Sequence, residues 1–212
     1  MGSVKIKICG ITSARDADAA LSEGVDLLGF RFLRGPRRAD PRFVREIVRR
    51  LPQGAEAVGV FRNQPLEEVR SILAESDVPI AQLDGSEPPE FAAALGVRVI
   101  KTFTELTRAS LQSLARYDSF AYLVDEPRGR ALRPADLDWA VCAKKFGRVL
   151  VTAPGTPDAL HEMIHRIRPW GVDDGTCAGA KPDSKDPVKI RALVHAVRLA
   201  DHDTQKIRVT VR

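Results

Sequence analysis

The stretch Lys5-Ile6-Lys7-Ile8-Cys9-Gly10-Ile11-Thr12 alternates polar and apolar residues and then breaks at Gly10. This pattern predicts a β-strand followed by a loop and a helix. On a strand, Lys5, Lys7 and Cys9 share one face, and the isoleucines between them share the other. Two lysines and a thiol are unusual on a strand face whose only role is to pack in a core.

Two interpretations of Cys9 follow from this pattern. A buried structural cysteine is the more common role for an intracellular thiol. However, Cys9 is the last strand residue before a loop, and Lys5 and Lys7 on its own face would favour the thiolate. Cys9 is therefore a candidate catalytic residue, provided that the rest of the chain builds a site around it.

The same strand-then-helix unit recurs through the chain, about every 25 residues and without linkers. The predicted strands are residues 5–9, 26–32, 57–61, 80–83, 97–101, 120–125, 148–152 and 170–173. Eight such units predict an α/β fold, a single-domain (β/α)8 TIM barrel over residues 1–200. The last helix is predicted over 186–199, and the polar tail 201–212 can fray. The main rival is an open doubly wound sheet, but the glycine-rich G-x-G-x-x-G turn typical of it is absent.

The composition of the chain limits its classes of function. Of its 212 residues 44% are apolar and 29% charged, which is typical of a soluble globular protein, and no apolar run approaches a membrane span. The net charge of +5 comes from scattered basic residues without a recognition-helix signature, so we expect no nucleic-acid partner and a mild preference for an anionic small molecule. The three cysteines lack metal-ligand spacing and predict a reducing, cytoplasmic location. Oligomeric state is not readable from the sequence.

Polar residues follow each predicted strand. In a (β/α)8 barrel the active site lies at the carboxyl ends of the strands. Any one of these residues would be an ordinary loop residue or helix cap, but together they favour a functional rim. They are Cys9, Arg37, Asn63, Asp84, Lys101, Asp125, Thr152 and Asp173.

The pair Cys9 and Asp125 suggests a reaction type. The two residues come from strands that are not neighbours and would face each other across the barrel mouth. A carboxylic acid can protonate a leaving or ring oxygen while a thiolate removes a carbon-bound proton. This is aldose–ketose or Amadori-type chemistry, and it needs no metal.

Several of these motifs occur together in one known family. The chain resembles phosphoribosylanthranilate isomerase over nearly its whole length up to the last helix. The matching motifs are Lys7-Ile8-Cys9-Gly10-Ile11-Thr12, Leu28-Gly29-Phe30, Pro36-Arg37, Val58-Gly59-Val60-Phe61-Arg62-Asn63, Gln82-Leu83-Asp84-Gly85-Ser86-Glu87, Ile100-Lys101, Leu137-Asp138-Trp139 and Gly171-Val172-Asp173.

The resemblance implies roles for individual residues. Cys9 would be the general base and Asp125 the general acid, without a metal or cofactor. Arg37 would bind the anthranilate, and Asp173 would contact the sugar. We expect the remaining substrate-binding positions to be Lys7, Asn63, Gln82, Asp84, Lys101, Gly175 and Thr176.

The chain also departs from the family pattern. Asp84 stands where the family has histidine, which places an anion beside the substrate. Ala153-Pro154 replaces a paired glycine, and proline offers no backbone N–H to a phosphate. Asp174-Gly175-Thr176-Cys177 replaces Ser-Ser-Gly, which still allows an anion nest but adds a carboxylate. The proton-transfer residues are thus present while the predicted phosphate cup is altered.

Three hypotheses remain at this point. The first is an isomerase acting on the tryptophan-pathway substrate, or on an N-glycosylated anthranilate analogue with altered or absent phosphate. The second keeps the acid and the base for a lyase, cyclase or epimerase step in a specialised pathway. The third is a non-catalytic binding protein, which the presence of both Cys9 and Asp125 disfavours.

Overall fold

The structure is a computed structural model that describes residues 3–35, 38–104, 107–125, 134–177 and 184–210, with side chains described except at 134–135 and 207–210. Eight parallel strands close into a barrel in chain order, so that β1 pairs with both β2 and β8. The strands are β1 Lys5–Cys9, β2 Leu27–Arg31, β3 Glu56–Phe61, β4 Ile80–Leu83, β5 Arg98–Phe103, β6 Ala121–Val124, β7 Arg148–Thr152 and β8 Gly171–Asp174. The predicted (β/α)8 barrel is confirmed.

A helix follows each strand and covers the outside of the barrel. The helices are α1 Ala14–Ser22, α2 Pro41–Val48, α3 Leu66–Ser76, α4 Pro89–Ala94, α5 Arg108–Leu114, α6 Pro134–Ala143, α7 Pro157–Ile167 and α8 Pro187–Thr210. Ser13, Asp40, Thr107 and Thr156 accept backbone hydrogen bonds at the starts of α1, α2, α5 and α7. These side chains satisfy amide groups that have no partner inside the helix.

Side-chain alternation along the strands separates two apolar regions. Outward-facing residues pack against the helices, as Ile6 and Ile8 of β1 do. Inward-facing residues fill the lower half of the barrel, and they are Leu27, Val58, Ile80, Ile100, Ala121, Leu123 and Leu150. Phe120 and Trp170, just before β6 and β8, pack against this inner cluster. Their two rings contact each other edge to face, with 5.4 Å between the ring centroids. The amino-terminal end of the barrel is therefore closed by side chains, and we expect the active site at the carboxyl end.

The last helix is longer than the sequence predicts. Helix α8 continues to Thr210 instead of ending at Leu199, and thus crosses the predicted boundary at residue 200. Asp201 and Thr204 are buried, and Asp201 Oδ2 accepts a hydrogen bond from the Val4 backbone N–H at 3.0 Å. This contact ties the end of the chain to its beginning. Among the described residues, no helix combines the length and the apolar character needed to cross a bilayer.

Closure of the barrel predicts an effect of one glycine substitution. A Cβ at Gly171 would lie 2.9 Å from the carbonyl oxygen of Lys5, a backbone atom that cannot move aside without disturbing the β1–β8 pairing. We expect Gly171→Ala to destabilise the fold by about 1–3 kcal/mol, seen as a lower thermal midpoint. Gly155→Ala is the matched control, because a Cβ there has nothing within 4 Å. Equal midpoints for the two variants would contradict this account.

Candidate active site

A buried ion pair lies where the first and last strands meet. Lys7 is opposite Asp173 in the β1–β8 register, and Lys7 Nζ donates a hydrogen bond to Asp173 Oδ1 at 2.8 Å. The Lys7 side chain has no exposed surface. Burial by itself lowers the pKa of Lys7, but the charges of Asp173 and Cys9 outweigh burial and the pKa rises. The ammonium group is therefore a permanent positive charge below the barrel mouth, and the structure places these two predicted site residues together.

Cys9 lies at the end of β1 on the same face as Lys7, and Gly29 of β2 leaves room for both. Cys9 pairs with Gly29 in the β1–β2 register. A Cβ at Gly29 would lie 3.2 Å from both Cys9 Sγ and Lys7 Nζ, and 3.0 Å from Cys9 Cα. The thiol itself is half-buried and free. The close approach of β1 thus explains the glycine in Leu28-Gly29-Phe30.

The electrostatic surroundings of Cys9 differ from the prediction. Burial raises the pKa of the Cys9 thiol, Lys7 lowers it, and the carboxylates of Asp173 and Asp84 raise it again, so that the net direction is upward. Lys5 does not assist, because its Nζ lies 2.7 Å from Asp26 Oδ1 in a partly exposed ion pair. The expectation that two lysines of β1 would favour the thiolate is therefore correct for Lys7 and wrong for Lys5. Lys185 also lowers the pKa of Cys9, but burial outweighs both lysines.

Asp125 follows β6 and is positioned by its neighbour on β7. Thr152 Oγ1 donates a hydrogen bond to Asp125 Oδ1 at 2.6 Å, and the Asp125 backbone N–H donates to the Phe103 carbonyl at 3.0 Å. The Asp125 side chain is half-buried. In the closed barrel β6 is three strands from β1, so Asp125 and Cys9 approach the mouth from different sides.

Asp84 is the centre of a hydrogen-bond network on β4 and β5. Its Oδ1 accepts hydrogen bonds from Gln82 Nε2 at 2.8 Å and from Thr102 Oγ1 at 2.6 Å. Its Oδ2 lies 3.6 Å from a guanidinium nitrogen of Arg62. Gln82 and Asp84 are brought together as the sequence predicts, and Thr102 is a site residue that sequence reasoning missed. Alternation from the inward-facing Ile100 would have found it, because Thr102 shares that face.

Lys101 and Asn63 both contact the loop between β4 and α4. Lys101 alternates with Thr102, and its buried Nζ donates to the carbonyls of Leu83 at 3.0 Å and Gly85 at 2.6 Å. Asn63 Oδ1 accepts the Ser86 backbone N–H at 2.7 Å. Both side chains hold the β4–α4 loop against its neighbours. These contacts give both side chains a structural role, and substrate binding by either residue stays a prediction.

The loops after β7 and β8 contain the positions at which we predicted altered phosphate binding. Asp174 alternates with the inward-facing Asp173, and it accepts hydrogen bonds from the backbone N–H and the hydroxyl group of Thr176. The Thr176 amide is thus already partnered within the chain. Pro154, after β7, has no N–H to offer. Gly175 is exposed, and its carbonyl accepts a hydrogen bond from Lys185 Nζ at 3.2 Å.

Arg37, predicted to bind the aromatic part of the substrate, lies outside the described residues. The structure places another arginine, Arg31, at the carboxyl end of β2. Arg31 ends β2 and alternates with Gly29, which places it on the inner face beside Gly10. Sequence reasoning missed Arg31, although the period of two along β2 was the available signal.

Comparison with known proteins agrees with this geometry. The family model described as N-(5'-phosphoribosyl)anthranilate (PRA) isomerase matches residues 6–196. The N-(5'-phosphoribosyl)anthranilate isomerase of Geotalea daltonii is 36% identical over 199 residues, which covers 92% of this chain and 96% of the relative. The enzyme of the same name from Geobacter metallireducens is 36% identical over 200 residues, covering 92% and 99%.

Solved structures give the same result. The phosphoribosyl anthranilate isomerase of Thermus thermophilus superposes with a TM-score of 0.80 at 34% identity, covering 92% of this chain and 98% of that chain. The corresponding structure from Thermotoga maritima has a TM-score of 0.81 at 27% identity, with the same coverage. With the barrel, the Cys9 and Asp125 positions and these similarities together, the chain belongs to the phosphoribosylanthranilate isomerase family.

Proposed function

We propose that this protein catalyses the Amadori-type isomerisation of phosphoribosylanthranilate, a step of tryptophan biosynthesis, with Cys9 as general base and Asp125 as general acid. The observation that carries the proposal is the placement of a thiol and a carboxyl group at the carboxyl ends of β1 and β6, in a barrel of this family. A lyase, cyclase or epimerase step has no separate observation in its favour.

The proposed reaction is a balanced pair of proton transfers. Asp125 donates its proton to the ring oxygen of the sugar as the bond between that oxygen and C1 breaks, and the amine nitrogen supplies the electron pair that forms an iminium ion. The Cys9 thiolate then removes the proton from C2, and the released electron pair neutralises the iminium nitrogen. The resulting enol becomes the ketone when its hydroxyl loses a proton and C1 gains one. Each transfer needs a group within hydrogen-bond reach of the reacting atom.

The surrounding residues support these roles by position and charge. The Thr152 hydroxyl group holds one oxygen of Asp125, which limits the rotation of the carboxyl group. The Lys7 ammonium group is the charge that lowers the pKa of Cys9 most, and it thus favours the thiolate. Asp173 holds Lys7 in place through its 2.8 Å hydrogen bond. We therefore propose that Lys7 stabilises the thiolate of Cys9 and that Asp173 positions Lys7, in addition to the contacts of both residues with substrate.

We propose a phosphorylated small molecule as the substrate class. A related phosphoribosyl anthranilate isomerase, 25% identical with a TM-score of 0.78, was crystallised with reduced 1-(o-carboxyphenylamino)-1-deoxyribulose 5-phosphate. In this chain the Thr176 N–H donates to Asp174 and Pro154 lacks an N–H. The loops after β7 and β8 therefore offer a phosphate fewer backbone N–H groups than the paired glycine and Ser-Ser-Gly of the family pattern would. An analogue with an altered phosphate is therefore the second candidate substrate.

We also propose a cytoplasmic location. Cys9, Cys142 and Cys177 are all free thiols, as expected in a reducing compartment. Asp174, 3.5 Å from the Cys177 thiol, adds to burial in raising the pKa of Cys177 to about 12, which keeps that thiol protonated and unreactive. Cys9 is the thiol that lies at the barrel mouth.

The role of Cys9 predicts the effect of removing its thiol. We expect Cys9→Ala to keep the fold and to lower kcat by roughly 10²- to 10⁴-fold, because no group remains to remove the C2 proton. The measurement is the decrease of anthranilate-type fluorescence on addition of fresh phosphoribosylanthranilate, with circular dichroism to confirm folding. Cys142→Ala is the matched control, since Cys142 lies on α6 away from the mouth. Undiminished turnover by Cys9→Ala would refute the mechanism.

The acid role is tested by Asp125→Asn. The amide keeps an oxygen that can accept the Thr152 hydrogen bond but cannot donate an acidic proton to the sugar oxygen. We expect a loss of roughly 10²- to 10⁴-fold in kcat with a much smaller change in KM. Exposed Glu90→Gln on α4 controls for loss of a carboxylate elsewhere and should retain full activity. A change confined to KM would mean that Asp125 binds substrate without transferring a proton.

The upward-shifted pKa of Cys9 predicts the pH dependence. Because the base must be a thiolate, we expect kcat/KM to increase with pH until Cys9 is deprotonated. Asp84→Asn removes a carboxylate that raises the pKa of Cys9, so the rising limb should move to lower pH. Iodoacetamide alkylation of Cys9, followed as a function of pH by mass spectrometry, should shift in the same direction. Glu90→Gln should leave both profiles unchanged, and an upward shift in Asp84→Asn would contradict this account.

A further inference from the structure

The segment that precedes α8 is attached to the first helix of the barrel. Asp16 of α1 is buried, and its Oδ1 accepts a hydrogen bond from the Lys185 backbone N–H at 2.9 Å. The other oxygen, Oδ2, accepts a hydrogen bond from the Thr12 hydroxyl group at 3.3 Å. We call Thr12, Asp16 and Lys185 the seam latch, because it joins the first strand–helix unit to the last. The family resemblance assigns no role to any of these three residues.

A second backbone contact fixes Lys185 from its other side. The Asp186 N–H donates a hydrogen bond to the Cys177 carbonyl at 3.0 Å. The Asp186 side chain then accepts the Val188 N–H at 2.9 Å and caps the start of α8. The main chain at Lys185 is therefore held both by α1 and by the loop after β8.

The side chain of Lys185 lies beside the loop that follows Cys9. Its Nζ is 3.7 Å from the point where a Cβ on Gly10 would be, and it donates a hydrogen bond to the Gly175 carbonyl at 3.2 Å. Gly10 directly follows Cys9 and has a φ of 79°, a backbone conformation that favours glycine. The absence of a side chain at Gly10 thus lets a half-buried ammonium group approach the backbone next to the proposed base.

Charged groups from several elements face Cys9. They are Lys7 of β1, Asp173 of β8, Asp84 after β4 and Lys185 before α8, with Arg31 of β2 beside Gly10. Lys185 itself adjoins Asp16 of α1, and it acts on Cys177 together with Asp174 of β8 and Lys189 of α8.

The two lysines near Cys9 differ in their partners. Lys7 Nζ is paired with Asp173, whose carboxylate opposes the effect of Lys7 on the thiol. Lys185 Nζ donates to a neutral carbonyl, and within the described part of the chain it forms no ion pair with a carboxylate. A cation a few ångströms from a thiol favours the thiolate, and Lys185 does lower the pKa of Cys9. The position of its ammonium group therefore matters for the base.

We propose that the seam latch positions the Lys185 ammonium group beside Cys9, where it stabilises the thiolate that removes the substrate proton. The inference rests on the proposed function, because it gives Lys185 a part in that proton transfer. Lys185 acts through Cys9 and is therefore a positioning residue. Its main chain is held by α1 and by the loop after β8, so this stabilisation depends on the closure of the barrel between its first and last units.

The first test removes the charge with Lys185→Met. We expect iodoacetamide alkylation of Cys9, followed as a function of pH by mass spectrometry, to move to higher pH, because loss of a nearby cation raises the pKa of the thiol. At a pH at which Cys9 is mostly protonated, alkylation should be roughly 3- to 10-fold slower. The rising limb of kcat/KM should move in the same direction. Lys185→Arg keeps the charge and should largely restore both profiles.

The second test releases the latch with Asp16→Ala, and it covers the case in which Lys185→Met fails to fold. By charge alone, loss of a carboxylate cannot raise the pKa of a nearby thiol. Release of the Lys185 backbone should let the ammonium group move away, so we expect alkylation of Cys9 to shift to higher pH. Asp16→Asn keeps an oxygen that can accept the Lys185 N–H, and its profile should stay close to that of the unaltered protein.

Lys189→Met is the matched control for net charge, because Lys189 is exposed in the first turn of α8. The proposal is overturned if Lys185→Met and Asp16→Ala both leave the alkylation profile of Cys9 unchanged, or if Lys185→Arg or Lys189→Met shifts it as much as Lys185→Met. Alkylation needs no substrate, and turnover of phosphoribosylanthranilate is assayed separately. A Lys185-dependent shift in a protein without turnover would support the latch and refute the proposed substrate, whereas turnover with an unshifted profile would refute the latch.

Discussion

The buried ion pair between Lys7 and Asp173 is the interaction on which the rest of the site depends. It joins the first strand to the last, across 166 positions of sequence, at the seam where the barrel closes. Two charges removed from water are stable only when each satisfies the other, so the pair requires β1 and β8 to be in register. The same ammonium group then sets the electrostatics of Cys9. Closure of the fold and activation of the proposed base are thus linked through one side chain.

Around this pair, carboxylates oppose the effect of Lys7 on the thiol, and burial raises the pKa of Cys9 most. Asp173 and Asp84 raise the pKa of Cys9, and Lys7 lowers it. Arg31 at the end of β2 and Arg62 after β3 add positive charge on the β2–β3 side of the mouth. Such a division suits a substrate that carries an anionic group at one end and loses a proton at a carbon near the centre of the mouth.

Much of this arrangement could be predicted from the local pattern. The alternation in residues 5–9 placed Lys7 and Cys9 on one face, and eight repeated units predicted the barrel. The local pattern was less informative at strand ends, because the side of the strand on which a residue lies depends on the alternation through that end. Lys101 faces outward and holds the β4–α4 loop, whereas Thr102, one residue later, faces Asp84. Helix α8 continues to Thr210 because Asp201 and Thr204 are buried against the barrel, which a polar sequence does not reveal.

By itself, the sequence determined the order of strands and helices, the fold and the identity of the two proposed proton-transfer residues, because these follow from periodicity and from residue type at a strand end. The direction of the pKa shift of Cys9, the partners of Asp84 and the position of Arg31 beside Gly10 were decided only by the tertiary structure. Burial and the distances between charges on different strands are set by how the strands close into a barrel. A pKa depends on those distances and on lost solvation, neither of which is a local property of the chain.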